Sequence, residues 1–269
     1  MQLNYKSYGE GFPLVILHGL FGNLDNWQTL ARKWADDYRI ILVDLRNHGR
    51  SPHADEMTYP LMAHDLAAFL EEQAIDRCHV LGHSMGGKVA MQVALTYPAL
   101  VEKLIVVDMA PRQYGRGHDD VFAALNALDP ASLEDRRDAE ERMKPHMEDA
   151  GVRMFLLKNL ARDSEEGFRW RMNLEVLHRD YENLIAPVGT LGQTFPGQAL
   201  FVRGGKSGYI KNDDWEGILA HFPLAELATV AGAGHWIHAE KPAELSGLVR
   251  KFLEKPAVRR ERMVPNMGE

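Results

Sequence analysis

The sequence predicts an α/β protein with a mostly parallel, doubly wound sheet and an inserted helical cap. Short apolar runs are spaced along the chain and longer amphipathic stretches separate them, which is the order of repeated strand–helix–strand units. The runs are continuous in Val, Ile and Leu, as expected of parallel strands that are buried on both faces. We predict strands over residues 13–17, 39–43, 79–82, 104–107, 199–202 and 224–230.

Helices are predicted between these strands because apolar residues recur there with a period near 3.6. In doubly wound sheets, ligands bind at the carboxyl ends of the strands, so candidate functional residues are expected at that edge. The clearest helical patterns are Met62, Leu66, Phe69 and Leu70, then Val89, Val93 and Ala94, and finally Leu245, Leu248, Val249 and Phe252.

The alternation stops after the fourth predicted strand, where a helical, charged stretch contains no convincing strand. We predict that this stretch is a cap that excludes water and shapes a pocket; the alternative is a solvent-facing helical bundle with no role in the site. The tail is polar and is expected to be frayed or loosely docked. The predicted organisation is a first core part over 1–112, the cap over 113–196, a second core part over 197–255 and the tail over 256–269.

The composition is that of an ordinary folded protein, with 45% hydrophobic and 26% charged residues. A net charge of -7 argues against a nucleic-acid surface, which needs a clustered excess of Lys and Arg. Cys78 is the single cysteine, so an intramolecular disulfide is impossible, which suits a reducing compartment. Because neither a signal peptide nor a membrane span is recognisable, we expect a cytoplasmic protein that does not engage a membrane.

The strongest chemical signal is Gly82-His83-Ser84-Met85-Gly86, which lies between a predicted strand and a predicted helix. That context makes G-x-S-x-G a nucleophile elbow, a sharp turn that pushes the serine hydroxyl off the sheet edge. The glycines remove side chains that would clash in the turn. Ser84 is therefore the predicted nucleophile.

Two backbone amides are predicted to bind an oxyanion. The helix that starts after Ser84 directs the N–H of Met85 to the place where the charge would form. His18-Gly19-Leu20-Phe21-Gly22 follows the first predicted strand and offers the N–H of Leu20, with Phe21 as the next candidate. His18 is expected to brace this loop.

His235 is the predicted general base, because Gly232-Ala233-Gly234 precedes it in a loop after a late strand. His83 is expected to support the elbow. The acid that orients the base must come from an adjacent strand end. Asp108 at the end of strand 104–107 is favoured, and Asp213 and Asp214 remain alternatives.

No metal or nucleotide cofactor is predicted. The sequence has no H-E-x-x-H motif, no cysteine pair, no phosphate-binding G-x-x-x-x-G-K-[ST] loop and no strand-linked G-x-G-x-x-G. The chemistry expected of the serine, the histidine and the acid needs no cofactor. The predicted partner is a small-molecule substrate.

The combined motifs resemble the α/β-hydrolase superfamily over nearly the whole chain. More narrowly, residues 18–27, 108–111 and 238–242 resemble the YbfF-type esterases and their abhydrolase-11 relatives. In that group the acid follows the sixth strand, which the resemblance carries onto Asp108, and Ser207 occupies the place where many other hydrolases keep their acid. The wider resemblance to the superfamily rests on the motifs at residues 18–22, 46–49, 82–88 and 232–236.

This resemblance implies a serine carboxylesterase that acts on acyl esters and acyl-CoA thioesters, and we expect small to medium acyl chains. Phe21, His83 and Trp236 are predicted to line the substrate pocket. One alternative is a lyase or proton-transfer enzyme that uses the same three residues without an acyl-enzyme; another is a ligand-binding protein on the same scaffold. Six apolar cap residues could line an acyl pocket, and the alternative is that most of them form the core of the cap: Phe122, Leu125, Phe155, Leu156, Trp170 and Leu174.

Overall fold

A seven-stranded sheet runs through the molecule in the computed structural model, which describes residues 1–163 and 167–257. Its order is β1-β3-β2-β4-β5-β8-β9, and a separate hairpin pairs β6 with β7. The strands are β1 (Tyr5–Tyr8), β2 (Pro13–Leu17), β3 (Arg39–Val43), β4 (Cys78–His83), β5 (Val101–Val107), β6 (Leu160–Asp163), β7 (Gly167–Trp170), β8 (Gln198–Gly204) and β9 (Ala225–Val230).

Helices cover both faces of the sheet, so successive strand residues enter different cores. In β2, Val15 and Leu17 join the core that contains α2 and α3, whereas Leu14 and Ile16 join the core that contains α1 and α11. The helices are α1 (Gln28–Trp34), α2 (Tyr59–Glu72), α3 (Met85–Thr96), α4 (Asp119–Asn126), α5 (Arg136–Met143), α6 (Ala150–Leu157), α7 (Leu174–Arg179), α8 (Tyr181–Ile185), α9 (Asp214–His221), α10 (Ile237–Glu240) and α11 (Pro242–Leu253).

The predicted fold class is confirmed, and the six predicted strands correspond to β2, β3, β4, β5, β8 and β9, all of them parallel neighbours. β1 was not predicted; it pairs antiparallel with β3 at the sheet edge. Its residues alternate between exposed and half-buried positions, so β1 lacks the continuous apolar run of the inner strands.

The region predicted as a cap contains α4 to α8, but the expectation that it lacks strands is wrong. β6 and β7 form a two-stranded antiparallel hairpin there. Each strand has only four residues and carries charged side chains, and in β7 the buried Phe168 precedes the exposed Arg169. An alternation this short is not distinguishable from a charged helical stretch in the sequence.

The two ends of the cap region are tied to each other and to the core. Tyr114 N–H donates to Ile185 O (2.9 Å), and Val188 N–H donates to Pro111 O (2.9 Å). The Tyr59 hydroxyl on α2 donates to Leu184 O (2.6 Å). The predicted domain limits stay predictions, and residues 258–269 of the predicted tail lie outside the described residues. Within the described ranges, the structure has no helix of the length and apolarity that crossing a membrane requires.

Candidate active site

Ser84 lies in the turn between β4 and α3, at the carboxyl edge of the sheet. Its φ of +55° belongs to the left-handed region, which costs a non-glycine residue about 1–3 kcal/mol and persists only where the surroundings enforce it. The Ser84 N–H donates to Val107 O (3.1 Å), and the Ser84 carbonyl accepts from Lys88 N–H (3.1 Å). The turn is thus held from both sides.

The flanking glycines are a steric requirement of this turn. A Cβ atom at Gly82 would lie 2.0 Å from Gly86 O, and a Cβ atom at Gly86 would lie 2.5 Å from His18 O. Both distances are far below van der Waals contact with backbone atoms that cannot move aside. Glycine at both positions therefore lets β4, α3 and the loop after β2 approach so closely.

The structure brings Asp108 and His235 together. Asp108 follows β5, is fully buried and has a φ of +53°. Its carboxylate Oδ2 accepts from His235 Nδ1 (2.8 Å), and Oδ1 accepts from Gly204 N–H (3.0 Å). The Ser207 hydroxyl also donates to Oδ2. Because Nδ1 carries its proton toward the carboxylate, His235 Nε2 is left as an acceptor.

The two alternative acids lie elsewhere. Asp213 is the residue before α9, and Asp214 begins that helix and forms an ion pair with Arg112 (Nε to Oδ1, 2.7 Å). Asp214 Oδ2 also accepts from Lys211 N–H (2.7 Å). Of the three candidate carboxylates, Asp108 is the one that contacts His235.

Two neighbouring side chains, Tyr209 and His83, also fix the position of His235. The Tyr209 ring stacks on its imidazole, with centroids 3.9 Å apart and planes 17° apart. His83 Nε2 donates to the His235 carbonyl (2.9 Å). Burial lowers the pKa of His83 well below its usual value, so His83 stays neutral and keeps one nitrogen as a donor. This bond joins the elbow to the loop of His235, and support of the elbow itself by His83 stays a prediction.

His48, which the sequence analysis did not single out, holds the loop after β2. Phe21 N–H donates to His48 Nε2 (3.3 Å), and His48 Nδ1 donates to Arg46 O (3.0 Å). Burial lowers the pKa of His48 to about 3, which keeps the ring neutral and Nε2 an acceptor. Within residues 1–163 and 167–257, the Leu20 amide has no such acceptor. Of the two candidate amides in this loop, Leu20 is the one left available.

His18 braces the same loop, as predicted. Its Nδ1 donates to Gly19 O (2.9 Å), and its Nε2 accepts from Leu45 N–H (3.1 Å). Burial lowers the pKa of His18, so the ring is neutral with both nitrogens in use. Hydrogen bonds from two neutral histidines therefore fix the loop that carries Leu20.

Two cavities meet at Ser84. The larger cavity has a volume of about 230 Å³ and the smaller cavity about 70 Å³. Leu20, Ser84 and His118 line both. The larger cavity is also lined by Tyr59, Met85, Met109, Tyr114, Tyr181, Leu184 and Ile185. The smaller cavity is also lined by Phe21, His83, Val121, Phe155, His235 and Trp236.

The three predicted pocket residues, Phe21, His83 and Trp236, thus share the smaller cavity. Of the six apolar cap residues, most belong to the packed core, which is the alternative stated for them. Phe155 and Leu156 line the smaller cavity. Neither cavity is lined by the other four, Phe122, Leu125, Trp170 and Leu174.

Comparison with known proteins decides the family. The family described as the alpha/beta hydrolase family matches residues 14–248, which is most of the chain. The chain belongs to the alpha/beta hydrolase family. This alpha/beta hydrolase is also similar to several curated relatives and solved structures over nearly its whole length.

The relatives carry esterase and lipase names. Esterase YbfF from Escherichia coli (strain K12) is 42% identical over 259 residues, covering 94% of this chain and 99% of the relative. The sn-1-specific diacylglycerol lipase ABHD11 of Xenopus laevis is 40% identical over 266 residues, covering 94% and 84%. A solved marine microorganism esterase has a TM-score of 0.91 and 38% identity, covering 93% and 99%. The predicted resemblance is confirmed, and this alpha/beta hydrolase is a hydrolase of the esterase class.

Proposed function

We propose that this chain is a serine carboxylesterase that hydrolyses small to medium acyl esters through an acyl-enzyme on Ser84. The observation that carries the proposal is the junction at Ser84. A strained serine stands where two cavities meet, and the smaller cavity is also lined by His235, whose Nδ1 is bound by the buried Asp108.

In the acylation half, His235 Nε2 accepts the Ser84 hydroxyl proton while Oγ attacks the ester carbonyl carbon. The carbonyl oxygen becomes an oxyanion that the N–H groups of Leu20 and Met85 stabilise. As the tetrahedral intermediate collapses, the bond to the alcohol oxygen breaks and His235 gives its proton to that oxygen. Asp108 keeps the imidazole in the required tautomer throughout.

In the deacylation half, a water molecule takes the place of the alcohol. His235 removes a proton from this water as its oxygen attacks the acyl carbon, and the proton then passes to Ser84 Oγ as the acid leaves. Atoms and charge balance over the cycle, because the enzyme gains and loses one proton at His235 in each half. No cofactor takes part in either step.

The two cavities suggest a division of the substrate. The general acid must reach the departing alcohol, so we assign the alcohol to the smaller cavity, which His235 lines. The acyl chain then occupies the larger cavity, which Met85 lines beside Ser84. Apolar and aromatic walls in the larger cavity, such as Met109, Tyr114 and Ile185, suit an aliphatic acyl chain.

The proposal is tested with p-nitrophenyl acetate, butanoate and octanoate, comparing wild type with Ser84→Ala. We expect turnover by the wild type, and a loss of about 10⁶-fold in kcat for Ser84→Ala. A fluorophosphonate probe should label the wild type and leave the variant unlabelled. A folded wild type that takes the label yet hydrolyses no ester would contradict the esterase proposal and favour the lyase alternative.

We extend the proposal to thioesters, because attack on an acyl carbon and expulsion of a thiolate use the same groups. Acetyl-CoA and palmitoyl-CoA, assayed by thiol release, form the second arm of the experiment. Thiol release by the wild type that is absent in Ser84→Ala would support this extension. Ester turnover without any thiol release would restrict the enzyme to oxygen esters.

A further inference from the structure

His118 stands at the junction of the two cavities, where the scissile bond would lie. Like Ser84 and Leu20, it lines both cavities. His118 directly precedes α4 and therefore belongs to the predicted cap. The other cap residues in the smaller cavity, Val121, Val152, Phe155 and Leu156, are apolar. His118 is therefore the polar side chain that the described part of the cap contributes to this cavity.

Hydrogen bonding fixes which nitrogen of His118 carries the proton. The Tyr181 hydroxyl oxygen accepts from Gly117 N–H (3.2 Å) and lies 2.6 Å from His118 Nδ1. If Nδ1 also donated to this oxygen, the hydroxyl proton would lack an acceptor among the described residues. The arrangement that uses every proton has the Tyr181 O–H donating to Nδ1. His118 then carries its own proton on Nε2.

The ring is neutral under ordinary assay conditions. Burial, followed by the nearby charge of His235, lowers the pKa of His118 to about 4. A neutral imidazole with an acceptor at Nδ1 presents a single donor, Nε2–H. Within the described ranges of the chain, no protein acceptor takes that proton. A donor at the reaction centre is thus left for the substrate.

The two nitrogens of the His118 ring differ in their contacts. Nδ1 is bound to Tyr181, which lines the larger cavity and not the smaller one. Nε2 lies on the opposite side of the imidazole. Phe21, which lines the smaller cavity, has its ring centroid 6.0 Å from that of His118. The unpartnered Nε2–H group is thus the donor that is available to a ligand in the smaller cavity, which His118 also lines.

We propose that His118 Nε2–H binds an oxygen acceptor on the leaving alcohol, so that the enzyme selects esters whose alcohol carries an oxygen two carbons from the ester oxygen. The inference rests on the proposed function, because the alcohol must occupy the smaller cavity. The acceptor has to be close to the scissile bond, since His118 lines both cavities where they meet. Alkoxyalkyl esters have this chemistry, and simple alkyl esters lack it.

The test uses two esters that differ by one atom. 2-Methoxyethyl butanoate and n-butyl butanoate have the same acyl chain, and an ether oxygen replaces one methylene in the alcohol. The ratio of their kcat/KM values, measured by pH-stat titration, is divided by the ratio of their hydroxide-catalysed rates. We expect a corrected preference of about 3- to 10-fold for the ether in wild type, as one neutral hydrogen bond provides.

Variants assign the preference to His118. In His118→Phe the corrected ratio should fall to about 1, because the ring remains and the donor is lost. His118→Gln keeps a donor and should retain part of the preference, which a purely structural role would not explain. The matched control is His178→Phe. His178 stacks on Phe122 of the same cap at an exposed position and lines neither cavity, so its ratio should equal that of wild type.

The failures are distinguishable. If wild type hydrolyses both butanoates with equal corrected rates, or if His118→Phe keeps the preference, the inference is wrong while the esterase proposal stands. A preference seen instead between n-butyl methoxyacetate and n-butyl butanoate would place the acceptor on the acyl side and overturn the assignment. If wild type hydrolyses none of these esters, the proposed function fails and this inference fails with it.

Discussion

The sheet edge and the cap hold the residues around Ser84 in different ways. At the sheet edge, Ser84 and Asp108 have positive φ angles, and main-chain hydrogen bonds to Val107 and Val202 fix both. In the cap, Val121 and Phe155 reach the smaller cavity through side-chain packing alone. The edge therefore has little freedom in its geometry, and the cap can change its lining by substitution.

This difference separates two properties of the enzyme. The proposed chemical groups depend on backbone conformations that tolerate few residue types. The shape of the cavities depends on the volume of apolar side chains, which many sequences can supply. We expect substitutions at the edge to change the rate of every substrate and substitutions in the cap to change the choice among substrates.

Among the variants that test this comparison, the largest effect is expected from Asp108→Asn. An amide can present its N–H to His235 Nδ1 and stabilise the tautomer in which Nε2 is protonated, so kcat should fall by about 10⁴-fold for all esters alike. Steady-state kinetics with p-nitrophenyl butanoate and octanoate measure this. Asp214→Asn is the matched control and should keep full activity. A comparable loss of kcat in Asp214→Asn would contradict the assignment of Asp108 as the acid that orients His235.

An intermediate effect is expected from His48→Leu, which removes the acceptor of the Phe21 amide. An unpaired buried N–H costs about 1–3 kcal/mol of unfolding free energy, and the loop that carries Leu20 loses its fixed position. We expect kcat to fall roughly 10-fold with a smaller change in KM, since one displaced oxyanion donor costs at most about 10²–10³-fold. Urea denaturation and kinetics are measured together.

His48→Gln tests the cause. Its side-chain oxygen can accept from Phe21 N–H, so part of the lost kcat should return. A variant His48→Leu that is destabilised yet keeps its full kcat would show that the loop needs no such support.

The smallest effects are expected in the cap. Phe155→Ala enlarges the smaller cavity and should raise the relative kcat/KM for benzyl over ethyl butanoate, while the profile over acyl chains stays the same. Leu184→Ala enlarges the larger cavity and should shift the acyl profile toward longer chains without changing the alcohol preference. We expect each ratio of kcat/KM values to change roughly 10-fold, which is the lower end of the discrimination that one methylene group in a hydrophobic pocket gives.

Thermal unfolding is the control for both, because a truncated buried leucine costs about 2–5 kcal/mol. If Phe155→Ala changes the acyl profile instead, the assignment of the two cavities has to be exchanged.

The sequence predicted the sheet edge better than the cap for the same physical reason. Close backbone approach allows only glycine at Gly82 and Gly86, so the turn around Ser84 leaves a recognisable pattern. Inner strands are long, continuous apolar runs, and six of them were located. The positions of Asp108 and His235 followed from strand ends and small residues, and the structure brings these two side chains into contact.

The missed features leave no such pattern. His48, His118 and Tyr209 act through contacts between segments that are distant in the chain, and a single histidine or tyrosine in a loop has no periodic context. Phe122 and Leu125 were expected near an acyl chain because they are apolar, but composition does not distinguish the inside of the cap from the wall of a cavity. Hairpin β6–β7 was too short to recognise.

The closure of the cap ends on each other has a consequence for how such enzymes diversify. The chain leaves the core near Pro111 and returns near Val188, and two hydrogen bonds join these points. Any segment that begins and ends with that pairing meets the same two attachment points, whatever its length between them. The region from Tyr114 to Ile185 is thus a closed cassette, and we expect a graft in its place to stay attached if it keeps this pairing and an amide that binds Phe21 O as Asn159 does (Nδ2 to O, 2.6 Å).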